Sequence, residues 1–127
     1  MANLVKKTSF AQEKHILIAN NSFMVTLPAI ISATGVSAVD GKKIIKAGTP
    51  LTGNIKKRGT AFAKATGNTA SAVLMHDVDV TDGNNNGTII LAGCIDLLKL
   101  DSDVKSLISS DIEGALKNII FVEGSEI

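Results

Sequence analysis

The stretch Thr88–Leu98, TIILAGCIDLL, constrains the fold more than any other. It is apolar on both faces of any strand it forms. A strand of that kind is buried on both sides, by its own fold or by another subunit. It is also far shorter than the ~20 residues that cross a bilayer. Just ahead lies SAVLMHDVDV, which alternates instead. As a strand it puts Ala72, Leu74, His76, Val78 and Val80 on one face, with Asp77 and Asp79 on the other. The intervening DGNNNG is rich in residues that accept a left-handed backbone, as a tight connection requires. Two strands and a hairpin are therefore expected in the middle of the chain.

The remaining segments point the same way. MVTLPAII is extended, because Pro28 disfavours helix at Leu27. GVSAVDGKKIIKAG has a two-residue turn pair at Asp40–Gly41 and is expected as a hairpin. AGTPLTG ends its second strand with a turn around Pro50, and NIKKRG emerges on the surface. TAFAKAT is expected as strand or loop. Near the C-terminus SDVKSLI predicts one or two helical turns. SSDIEGALKN predicts a short helix with a capping box at Ser110 and Glu113, and IIFVEG a final strand. Residues 1–23 show no helical period and are expected as an extended arm, within which KHILIANN has strand character. The expected fold is mainly β: a compact β-sandwich or barrel-like single domain over 24–127. One or two short helices lie near its C-terminus. Its expected core is Val36, Val39, Ile44, Ile45, Leu51, Val73, Leu74, Val78, Ile90, Leu91, Ile95, Leu97, Ile112, Leu116, Ile119 and Phe121.

Composition narrows the chemistry. Only 3% of residues are aromatic against 45% hydrophobic, so the core is aliphatic. The one cysteine, Cys94, has no partner for an internal disulfide and lies in an apolar run. It is expected as a small buried hydrophobe, which suits folding in a reducing cytoplasm. The start of the chain has no signal-peptide pattern.

HDVDVTDGNNNGT resembles a calcium loop only superficially. From Asp77 the pattern places Asp79 and Thr81 correctly. It then has Asp82 where glycine is required, with Gly83 one place late, and Thr88 where a bidentate glutamate is required. A hairpin explains the same residues. His76 has no second ligand at metal spacing, and His15 is far away in sequence. No nucleophile elbow, phosphate loop or dinucleotide fingerprint occurs. The basic run Lys56, Lys57, Arg58 offers phosphate contacts, but only Phe62 lies near it as a stacking platform. The chain is expected to be no enzyme, to hold no metal or cofactor, and to bind neither nucleic acid nor membrane.

The small net charge of +1 hides a division. Residues 1–40 carry +1, residues 41–76 carry +7 with no acid, and residues 77–127 carry −7. Such a split reads first as two solvated faces of opposite sign, and otherwise as contact between the two parts, within one chain or between copies.

IIKAGTPLTG followed by AVLMHDVDVTDGNNNGTIILAGCIDLLKL resembles the small head decoration and head fibre proteins of tailed bacteriophages. The likeness is clearest over 44–100 and extends loosely over 28–122. The closing LISSDIEGALKNIIFVEG is similar to tails seen in that group. The resemblance implies a non-enzymatic virion protein that coats the outside of a capsid and stabilises it, made in the host cytoplasm. Its partner would be the major capsid protein. Decoration proteins of the lambda type commonly form trimers, often with a clamping N-terminal arm. No long fibrous extension follows here, so a compact knob is expected rather than a projecting fibre. A head-to-tail homotrimer needs two different patches per subunit. Lys56, Lys57 and Arg58 are expected to face a neighbour's Asp101, Asp103 and Asp111. The arm residues His15, Ile16, Leu17, Ile18 and Ala19 are expected to add a strand to a capsid sheet, and removing residues 1–19 to leave the body folded. The alternative is a virion-displayed carbohydrate-binding or adhesion module.

Overall fold

Residues 85–96 form one strand of 12 residues, and the rest of the molecule is arranged around it. The computed structural model describes Ile16 and residues 24–57, 59–65 and 67–123. In chain order the strands are β1 Val25–Ile31, β2 Ile44–Ile45, β3 Pro50–Thr52, β4 Ala63–Lys64, β5 Ala72–Leu74, β6 Val78–Asp79, β7 Asn85–Asp96 and β8 Ile119–Val122. Two short helices, α1 Ser102–Lys105 and α2 Ser110–Ala115, lie between β7 and β8. The fold is mainly β, a single domain as expected.

The main sheet runs β1-β7-β5-β3-β4, with β8 added in parallel to the far half of β7. The two ends of that path then meet. Ile31 at the end of β1 bridges Phe62, the residue before β4. The Phe62 N–H donates to the Ile30 carbonyl at 2.8 Å, and the Ser32 N–H donates to the Phe62 carbonyl at 2.7 Å. Five strands thus close into a small barrel. Inside it lie Ala29, Ile31, Leu51, Phe62, Ala72, Leu74 and Ile89. The two-stranded sheet β2-β6 brings Ile45 and Val78 to the same interior, joined by Val80.

A second core lies outside the barrel wall. Val73, Ile90, Ile95 and Ile119 meet Leu100, Val104, Ile112 and Leu116 from the C-terminal segment. Adjacent residues of β7 therefore serve different cores: Ile89 faces the barrel interior and Ile90 the second core. This is the two-sided burial that the unbroken apolar run predicts. Ile90 and Ile95 share a core although five positions apart, which a regular strand of period 2 forbids. The register against β1 slips between Val25, opposite Ala92, and Thr26, opposite Ile90. The skipped Leu91 supplies the odd residue of a bulge.

Several local expectations are corrected. SAVLMHDVDV is two strands, β5 and β6, which pair with different partners. The Asp40–Gly41 turn forms, with φ of 54° and 80°. However, its hairpin is a single bridge between Val39 and Lys42, because β2 turns away to pair with β6. Val39 and Ile44, expected in the core, are exposed (70% and 37%). Val36, Leu91, Leu97 and Phe121 pack only at the margins of the two cores. Pro50 is not a turn residue but begins β3; the turn precedes it at Ala47–Gly48. TAFAKAT does supply a strand, β4. Cys94 is half-buried rather than buried. The N-cap of α2 is Ser109, whose hydroxyl accepts the Ile112 N–H, rather than Ser110.

Candidate functional site

The break between β5 and β6 is anchored to a neighbouring turn. Asp77 Oδ1 accepts the Ala47 N–H at 2.7 Å, tying this turn to the one ahead of β3. Beside it β2, the Val39–Lys42 turn and α1 enclose an open groove of about 580 Å³. Its lining is aliphatic and ionic, including Val39, Ile44, Lys46, Lys64, Asp103 and Leu107.

Lys46 is the electrostatic centre of that groove. Its Nζ lies 3.0 Å from Asp103 and 3.4 Å from Asp101. The hydrogen bond to Asp103 is the main reason the Lys46 ammonium holds its proton above the ordinary lysine value. The same bond is the main reason the Asp103 carboxyl titrates below its ordinary value. All three groups are substantially exposed, so the pairs orient α1 more than they stabilise it.

The aspartates of HDVDVTDG are employed locally. Asp79 Oδ1 accepts both the backbone N–H and the hydroxyl of Thr81. The Thr81 hydroxyl is the first cause of the lowered Asp79 pKa. Asp77 and Asp79 are thus turned to separate backbone tasks. Asp79 and Asp82 do share a shallow concavity with Gly83, Asn84 and Asn85. Among the described residues no group of three or more His, Cys, Asp or Glu side chains is placed to hold a metal ion.

Of the expected contact residues, Lys56 and Lys57 are exposed on the loop after β3, and Asp111 is exposed in the first turn of α2. Arg58 lies outside the described residues. Asp101 and Asp103 are already bridged by Lys46 of their own chain. Part of the charge division is therefore satisfied internally. Ile16 departs furthest from expectation. It is 1% exposed within the second core, and its carbonyl accepts the Asp96 N–H at 2.9 Å. This position belongs to the body of the chain rather than to an outward-reaching arm. His15, Leu17, Ile18 and Ala19 lie outside the described residues.

No protein-family model and no curated protein sequence matches this chain.

Sequence reasoning passed over Lys46 because 55 and 57 positions separate it from Asp101 and Asp103. No local pattern signals a pairing at that range. It also passed over the outer edge of β8, where Ile120 is 54% exposed.

Proposed function

We propose that this protein decorates the outer surface of a bacteriophage capsid and stabilises the shell. The observation that carries the proposal is where the family-like residues fall. The segment 44–100, where the resemblance to head decoration and head fibre proteins is clearest, spans β2 to β7. It supplies β3, β4, β5 and β7 of the barrel, its β2-β6 cover and most of its interior side chains. The likeness thus lies in the residues that set the architecture, as expected of a scaffold whose function is attachment.

Attachment in this proposal uses the N-terminal arm and the major capsid protein. With Ile16 held in the body, the capsid contact falls to residues that precede it. The protein is a head-to-tail trimer, with Lys56 and Lys57 of one subunit facing Asp111 of the next. Exposed pairs contribute only about 0–1 kcal/mol each, so apolar burial provides most of the association and charge sets its register. Sedimenting purified protein with undecorated heads tests the proposal. Saturable co-sedimentation at a fixed ratio to the major capsid protein is expected. Protein that stays in the supernatant at every ratio overturns it, and glycan binding in its place would establish an adhesion module.

A further inference from the structure

The outer edge of β8 is paired with no other strand among the described residues. Natural sheets protect an exposed edge with charge, proline, a bulge or a covering segment. β8 pairs with β7 and, among the described residues, with no other strand. Its sequence, IIFV, carries no charge and no proline, and Ile120 is 54% exposed. The Gly93 N–H donates to the Asn118 carbonyl at 3.2 Å. In a parallel ladder that bond turns the backbone groups of Ile120 and Val122 toward β7 and those of Phe121 outward. The strand is also flanked by opposite charges, exposed Lys117 before it and exposed Glu123 after it.

We propose that β8 is a self-association edge, pairing antiparallel with β8 of a second copy about a two-fold axis at Phe121. The occupant follows from the self-complementary pattern of charge. In the register centred on Phe121, each Ile120 lies opposite Val122 of the second copy. Lys117 stands in the turn before β8 and Glu123 directly after it, so antiparallel pairing brings the basic end of each strand toward the acidic end of the other. A two-fold axis makes every such contact twice. Parallel pairing would instead set Lys117 beside Lys117 and Glu123 beside Glu123. Glu123 is held by Lys105 at 3.0 Å, and a carboxylate has acceptor sites for a second cation. The pair uses neither the Lys56–Lys57 loop nor Asp111, so its test is separate from those of the three-fold ring and of capsid binding.

Analytical ultracentrifugation of the full chain over a concentration series tests the proposal, with disulfide trapping as an independent readout. The wild-type protein is expected to double the mass of its smallest species as concentration rises. Ile120→Lys, at a side chain already exposed, is expected to abolish that step with an unchanged circular dichroism spectrum. In a Cys94→Ser background, I120C with V122C is expected to give a reducible covalent pair of chains. Residues 120 and 122 of opposite copies would be a non-hydrogen-bonded pair about 4.5 Å apart at Cα, within disulfide range. I120C alone should remain uncrosslinked, because its symmetry mates are diagonal, roughly 7–8 Å apart. Doubling that survives Ile120→Lys overturns the proposal. So does a wild-type protein that neither doubles nor, as the two-cysteine variant, crosslinks.

Discussion

Phe62→Ala is expected to cost about 3–5 kcal/mol of stability, the range for truncating a buried phenylalanine. The ring is fully buried at the seam where the barrel closes. Its backbone makes the two hydrogen bonds to Ile30 and Ser32, and its side chain belongs to the barrel interior with Ile31, Leu51, Ala72 and Leu74. The fit is tight: a Cβ added at Gly53 would lie 2.5 Å from Phe62 Cδ2. The surrounding wall is hydrogen-bonded sheet, and such surroundings relax only partly onto a void. Domains of this size have roughly 5–15 kcal/mol in all, so the variant is expected to be marginally folded at best. Urea unfolding followed by far-ultraviolet circular dichroism measures the loss. A change below about 1 kcal/mol would show that Phe62 does not hold the barrel together.

Ile16→Ala has the second largest expected effect, about 2–5 kcal/mol. Ile16 is separated in sequence from every other described residue, yet it sits among Ile90, Ile95 and Ile112 in the second core. Its backbone also ties the end of β7 through the Asp96 N–H. Removing residues 1–15 is therefore expected to leave the urea midpoint close to wild type. Removing residues 1–19 takes Ile16 with it and is expected to lower the midpoint as much as Ile16→Ala does. This replaces the expectation from sequence that the body is indifferent to loss of residues 1–19. Equal midpoints for the two truncations would show that Ile16 is not part of the core.

The arm and the seam show where sequence stops informing the fold. The two-sided burial of β7 was legible because TIILAGCIDLL offers no polar face, so no other placement avoids exposing apolar surface. The face assignment of Ala72, Leu74, Val78 and Val80 was legible from their alternation, even though β5 and β6 separate between them. Barrel closure was not legible. It rests on one parallel bridge between Ile31 and Phe62, and TAFAKAT has no strand pattern to announce it. Val39 and Ile44 misled because β-branched residues around a good turn suit a hairpin equally well in a core or on a groove rim. HILIA has the same apolar pattern whether it docks on a capsid or on its own chain, and only the second core and the Asp96 N–H decide for Ile16. The candidate contacts were partly legible: the exposure of Lys56 and Lys57 followed from their run of charge. The capture of Asp101 and Asp103 by Lys46 depends on how β2 turns, which no local spacing encodes.

The claim that this protein stabilises a shell is tested most directly by heating heads. Undecorated, DNA-filled heads are heated with and without saturating protein, and DNA release is followed with an intercalating dye. Decoration is expected to raise the temperature of half-release, and the shift is expected to vanish for protein lacking residues 1–15. That truncation is expected to leave the fold intact while removing the proposed capsid contact. An unchanged release temperature with heads fully occupied by protein would contradict the account.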